Sequence, residues 1–365
     1  MPIRIIGMIG VTPPASDTQL VVIEGALDPD YVVKFAQAHE AAGFDLALVG
    51  YSSSSAEGFL VAQHAAAHTE RLGYMIAHRP GFVAPTLMAR KIATFDQITK
   101  GRVAIHIITG KSDAEQQGDG DYSPKVERYE RASEYLALMR KTWSATEPFD
   151  FDGRFYRVNG AASDVHPVQD PHPPLFFGGA SEGALTMGAE HCDIYAIYGE
   201  PLATTAERIA DFRAKAAKFG RTPGFNGSFR PIIAETEEAA WEKANHILAG
   251  MAGAKGWARQ ENITTPVDNA GRRIYDMALR QDVYDTCLWM GVAKATGALG
   301  NVSCLVGTPE QVAAAIVEYY KLGVASILIR GFDPFNDTIE FGHDLIPRIR
   351  AGVAEVDKAT GTANP

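Results

Sequence analysis

Two arginines stand where burial makes a cation costly. Arg230 in SFRPIIA and Arg330 in SILIRGF each interrupt an apolar, β-branched run. A guanidinium buried among apolar neighbours demands an anionic partner. A shared anionic substrate meets that demand, and internal ion pairs to Glu57 or Asp333 are the competing explanation. His78 and His106 pose the same question more mildly, because LGYMIAHR and RVAIHIIT are otherwise apolar and a buried imidazole needs a partner or a ligand. The run FFGGASEGA has the composition of an anion cradle. Its two glycines let backbone approach a ligand, and Ser181 stands at the start of a helix whose N–H groups attract a phosphate. A tight turn with a capping serine accounts for it equally well. Arg128 and Tyr129, in PKVERYERASEY, could reach the same phosphate from the loop and helix after strand four, but taken alone they read as a charged helix start.

These residues need a frame, and short apolar runs alternating with longer helical patterns supply one. The strand candidates are 3–10, 45–50, 72–79, 102–109, 175–179, 193–198, 228–234 and 326–332. Eight strands, each followed by a helix-length segment, predict an α/β chain folded as a closed (β/α)8 TIM barrel rather than an open doubly wound sheet. Such barrels place their active sites at the C-terminal strand ends. That ranks Tyr51 with the serines Ser52 to Ser55, then His78 and Arg79, His106 with Thr109 and Gly110, Gly178, Gly179 and Ser181, Tyr198, Arg230, Arg330 and Phe332 as the candidates. One domain is expected over residues 1–365. It carries an inserted hairpin at about 149–170, signalled by Asp152-Gly153 between alternating aromatic runs. A stretch at about 248–285, too long for a simple connection, reads as a mobile lid before strand eight, with an excursion on the outer surface as the alternative, and about 358–365 reads as a frayed tail.

Several chemistries lack their signatures. No GxGxxG follows the first strand, and there is no P-loop, no HExxH or other metal-ligand spacing and no GxSxG elbow, so no metal and no serine hydrolase is expected. The net charge of −10, from 34 basic and 44 acidic residues, argues against nucleic acid. No apolar stretch reaches membrane-spanning length, and the N-terminus reads as a strand with no plausible cleavage site. Three cysteines without CxxC spacing fit a reducing compartment, so the cytoplasm is the expected location.

Longer stretches carry a resemblance. APTLMARKIATFDQITKGRVAIHIITG, GDGDY with ERYERASEYL, DFDGRFYRVNGA, PHPPLFFGGASEGA and DIYAIYGEP together resemble the bacterial luciferase-like flavin monooxygenases, and within them the alkanesulfonate monooxygenase type. The resemblance implies FMN at the barrel mouth, its phosphate held by Arg128, Tyr129 and Ser181 and its ring near Tyr51, Ser52, His78, His106 and Glu115. It implies FMNH2 delivered by a separate NAD(P)H-dependent flavin reductase, O2 as co-substrate, sulfite and an aldehyde as products from a sulfonate, and a homodimer or homotetramer.

The departures bear on the substrate. Where the alkanesulfonate pattern has Cys, Trp, an Arg-x-His pair, Arg and Tyr, this chain has Ser55, Tyr198, Ser228 with Arg230, Thr296 and Phe332; relatives often carry Asn at His106. Arg230 and Arg330 are read as a replacement anion site, with His78, Arg79 and Tyr198 as the other catalytic candidates. The rival readings are a neutral sulfone, sulfide or ring amide as substrate, a deazaflavin-dependent hydride-transfer enzyme, and a non-catalytic flavin-binding relative.

Overall fold

Thirteen strands among the described residues run in chain order as β1 (Arg4–Met8), β2 (Leu46–Val49), β3 (Gly73–His78), β4 (Val103–Ile107), β5 (Phe149–Asp152), β6 (Arg157–Ala161), β7 (Leu175–Gly178), β8 (Ile194–Tyr198), β9 (Gly224–Ile233), β10 (Val283–Tyr284), β11 (Leu288–Trp289), β12 (Cys304–Gly307) and β13 (Val324–Ile329). The computed structural model describes residues 3–110, 112–253, 269–298 and 300–361. Eight of the strands close a parallel ring in the order β1-β2-β3-β4-β7-β8-β9-β13, with β13 pairing back onto β1. All eight fall within the runs the sequence marks or overlap them, so the (β/α)8 barrel stands.

The first helices are α1 (Pro29–Ala41), α2 (Gly58–Ala66), α3 (Pro85–Thr99), α4 (Asp113–Gly118), α5 (Lys125–Ser144), α6 (Glu182–His191) and α7 (Leu202–Ala217). They are followed by α8 (Glu237–Gly253), α9 (Asn269–Arg280), α10 (Gly291–Thr296), α11 (Pro309–Lys321), α12 (Pro334–Glu340) and α13 (Ile346–Thr360). Local chemistry sets where several begin. Asp28 accepts from the Tyr31 N–H ahead of Pro29, and Thr308 with Gln311 forms a reciprocal capping box.

Parallel strands are buried on both faces, and two apolar sets show it. The larger set packs strands against helices. The smaller one, Ile6, Leu46, Met75, Ala104, Phe176 and Leu328, fills the lumen. It seals the barrel below the mouth, and because strand side chains alternate, it fixes which later residues also point inward.

Two regions lie off the ring. An antiparallel hairpin of β5 and β6 turns over Gly153–Tyr156, where the Gly153 N–H donates to the Tyr156 carbonyl at 2.9 Å. The second region grows from β9. Its first half pairs with β13 up to Ile329↔Phe229, and its last residues, from Arg230, pair with β12. Strands β11 and β10 extend that branch antiparallel. The sequence reading has no strand at 304–307, since CLVG is only four residues long and fully buried, without alternation. Within the stretch expected to be a lid, residues 248–253 complete α8, 269–280 form α9, and 254–268 lie outside the described residues.

Candidate active site at the barrel mouth

Counting two residues up from the lumen plug names the mouth. Ile6 leads to Met8, Ala104 to His106, Phe176 to Gly178, Leu328 to Arg330, and Met75 through Ala77 to Arg79, while Ile194, packed on the plug, leads to Tyr198. His78 has the opposite parity. It faces the helix layer, where its Nε2 meets the Tyr135 hydroxyl at 2.9 Å, and burial lowers its pKa to about 3. The geometry therefore gives His78 to packing between β3 and α5 rather than to catalysis or flavin contact. His106 points into the lumen. Its Nδ1 is buried without a partner among the described residues, and burial holds it neutral with a pKa of about 4. It lies beside Gly178, whose missing side chain would come within 3.7 Å of the His106 Nε2.

The β7–α6 turn combines a close backbone approach with a capping serine, features common to both sequence readings of it. Gly179 has φ +138, which an L side chain rarely adopts, and a Cβ there would meet the Ala184 Cβ at 2.8 Å. The Ser181 side chain caps α6 by accepting from the Ala184 N–H at 3.4 Å. Tyr129 lies over the same turn: a Cβ at Gly183 would come within 3.1 Å of its ring, and one at Gly179 within 3.7 Å of its hydroxyl. Arg128 is committed elsewhere. Its Nε, Nη1 and Nη2 donate to the Thr109 carbonyl (2.9 Å), the Ser123 carbonyl (2.7 Å) and the Asp113 Oδ1 (2.8 Å). It braces the loop after β4, so a phosphate contact from Arg128 is not what the structure holds ready.

The two strand arginines part company. Arg230 is fully buried, and its fork is satisfied by four backbone carbonyls: Asn301 (2.8 Å), Gln19 (3.3 Å), Gly331 (2.8 Å) and Leu20 (2.6 Å), with the Phe332 ring 4.5 Å from its guanidinium carbon. It stitches three loops, and four of its five N–H donors are spent on backbone carbonyls. Arg330 reaches only the Met8 thioether sulfur, at 3.1 Å, and its Nε is buried without a partner among the described residues. Burial lowers its pKa to about 10, against the pull of Tyr198, so at neutral pH it remains a cation. Tyr198, Ser228 and Asn226 share this side of the lumen, and the Asn226 Oδ1 is likewise buried with no partner among the described residues.

Arg79 closes another side of the mouth. It pairs with Glu115 through a short contact and with Asp119 at 3.4 Å, and its guanidinium lies 4.4 Å over the Tyr51 ring. Ser53 joins the knot, donating from its hydroxyl to Asp119 at 2.7 Å and from its N–H to Glu115 at 3.1 Å, and the Tyr51 hydroxyl donates to Asp119 at 3.1 Å. Ser52 turns inward on its own loop, its N–H donating to the Ser55 hydroxyl at 3.0 Å. The structure thus brings Tyr51, Arg79, His106, Glu115, Tyr198 and Arg330 to one mouth, with Tyr129 and Ser181 at the adjoining turn. It leaves out His78, Arg128 and Arg230. Sequence reasoning included Ser53 in its serine run but missed Asp119, Ser228 and Asn226 as participants, although GDGDY is a visible signal for Asp119.

Among the described residues no group of three or more His, Cys, Asp or Glu side chains could hold a metal ion, and no helix is long and apolar enough to cross a membrane. The chain matches the luciferase-like monooxygenase family over residues 8–326. Its fold is similar to EDTA monooxygenase from Chelativorans sp. BNC1, with TM-score 0.76, 17% identity and coverage of 96% of this chain and 94% of that one. It is similar also to the oxygenating constituent of 3,6-diketocamphane monooxygenase from Pseudomonas putida, solved in complex with FMN (TM-score 0.63, 19% identity, 88% and 93% coverage). The coenzyme F420-dependent tetrahydromethanopterin reductase from Methanopyrus kandleri is a third (TM-score 0.65, 16% identity, 95% and 99% coverage). Likeness at these identities concerns the fold.

Proposed function

This chain belongs to the luciferase-like monooxygenase family, and we propose that it uses FMNH2 from a separate NAD(P)H-dependent flavin reductase, together with O2, to oxygenate a small anionic organosulfur compound. The reaction we favour cleaves the C–S bond of a sulfonate, releasing sulfite and an aldehyde. One observation carries the anionic clause: Arg330 is a lumen-facing cation whose Nε is buried without a partner among the described residues, its guanidinium donating to a thioether sulfur with Tyr198 nearby. An unpaired buried charge is costly, and a bound anion relieves it.

The residues present fit FMN. The φ of Gly179 and the bare face of Gly178 admit a ligand close to backbone, the N-terminus of α6 with Ser181 and Tyr129 suits its phosphate, and the unpartnered His106 Nδ1 offers one hydrogen bond to its ring. Bound and reduced, FMN would supply the two electrons by which one oxygen atom of O2 enters the substrate and the other leaves as water. The chain supplies position and dryness. Arg330, beside Tyr198, orients the substrate anion, the Arg79–Glu115–Asp119 knot closes the facing wall, and the apolar plug keeps water from entering below.

The test is a sulfonate panel with FMN, NADH and a flavin reductase, read as sulfite release. Sulfite from at least one member, with a KM raised in Arg330→Met, is expected. Absence of sulfite throughout would sink the sulfonate clause, and an unchanged KM in the variant would sink the anion clause. Turnover without O2 on a reduced deazaflavin would move the chain to hydride transfer instead.

A further inference from the structure

Behind the cradle, on the helix side of the ring, lies a chain of polar groups that the proposed chemistry does not use. Glu200 is fully buried, yet it is paired with two arginines: Arg208 of α7 through a short contact, and Arg273 of α9 at 2.9 Å. The Arg208 Nη2 donates to the Tyr195 hydroxyl, and that hydroxyl donates to the Gly179 carbonyl at 2.7 Å. The Tyr195 ring is stacked on Phe177 with centroids 4.7 Å apart, so its reach toward Gly179 is fixed by packing. Burial raises the Tyr195 pKa, which keeps the phenol protonated. A phenol has one proton to give. With Arg208 donating to its oxygen, that proton goes to Gly179.

Resting on the reading of the β7–α6 turn as the FMN phosphate site, we infer that Tyr195, held by the Glu200–Arg208 pair, is a positioning residue for that phosphate. In a planar trans peptide the carbonyl and the following N–H point in opposite directions. A Gly179 carbonyl captured by Tyr195 therefore turns the Ala180 N–H to the other side, the side of the mouth. No described residue accepts from that N–H. Glycine at φ +138 leaves this peptide plane otherwise free to rotate, so the hydroxyl 16 residues away sets its orientation. Sequence alone hides the relay because its last link is a backbone carbonyl.

The experiment compares FMN with riboflavin, which lacks the phosphate, by flavin-fluorescence titration of the full chain. Wild type is expected to hold FMN about tenfold or more tighter than riboflavin. Tyr195→Phe keeps the stacked ring and removes only the hydroxyl. Its FMN affinity should fall by about five- to tenfold while riboflavin affinity stays within about twofold. Glu200→Gln, which releases Arg208, should move the same way and no further. Equal weakening of both flavins would mean a merely structural role and would overturn the inference, as would an unchanged FMN preference in Tyr195→Phe. If wild type itself shows no preference for FMN, the phosphate-site reading fails first, and the inference falls with it.

Discussion

Arg230 and Arg330 occupy equivalent sequence settings on neighbouring strands, and they have opposite fates. Both interrupt apolar runs, and both are drawn inward by strand parity. Arg230 lies one residue past the point where β9 leaves the ring to pair with β12, so loop carbonyls from residues 19, 20, 301 and 331 converge on it. Arg330 lies at the end of β13, still inside the ring, where its neighbours are a methionine sulfur and a tyrosine. A buried arginine is thus a structural tie where the chain itself meets its donors and a candidate ligand contact where it does not.

The comparison breaks most readily on Arg230. Arg230→Met leaves four carbonyls without their donor and should cost about 3–5 kcal/mol, read as a lowered denaturation midpoint or loss of soluble protein. Arg230→Lys should recover little, since three donors on one nitrogen cannot replace a planar fork. Arg330→Met is expected to leave stability unchanged or slightly raised, because it removes an unpaired buried cation. The same variant should weaken the anionic substrate by roughly 2 kcal/mol or more, seen in KM. If Arg330→Met destabilised the fold as strongly as Arg230→Met, the distinction would be lost.

His78 and His106 repeat the contrast at smaller scale, one partnered by Tyr135 and one with an idle ring nitrogen. His106→Ala should weaken flavin binding by about 1 kcal/mol in a fluorescence titration, while His78→Ala should act on stability and leave flavin affinity near wild type. Acidity gives the mildest test. His78 and His106 have folded pKa values lowered from 6.5 to about 3 and about 4, so below 6.5 the unfolded chain binds protons that the folded chain refuses. The stability they contribute is complete above pH 6.5 and is lost as pH falls toward 4. A thermal scan across that window should show the midpoint declining by several degrees, with a shallower decline in His106→Asn.

The sequence was most legible where local composition decides the outcome. Eight strand runs stand out because each is a short apolar or β-branched segment between helical patterns, and Ser181 was readable as a cap because capping is a matter of adjacent residues. It was least legible where backbone atoms far along the chain are the partners. Nothing in SFRPIIA announces that carbonyls more than 200 residues away will satisfy Arg230, and nothing near Arg128 announces Thr109 or Ser123 as acceptors. The side to which His78 points was hidden as well: both faces of a parallel strand are apolar, so alternation in LGYMIAHR groups Met75 with Arg79 without saying which group looks inward.

The fork in β9 has an architectural consequence. After Ile233 the chain runs out through α8 and α9, comes back through β10 and β11, and lays β12 in parallel register against the tail of β9 from Cys304. Both ends of this excursion are tied to a seam between β12 and the β9 tail that lies outside the ring, while the ring itself closes through β9, β13 and β1, so the branch and barrel closure rest on different strand pairs. Arg230 is the rivet at its base, and a graft that keeps Asn301 and Arg230 in place keeps the seam.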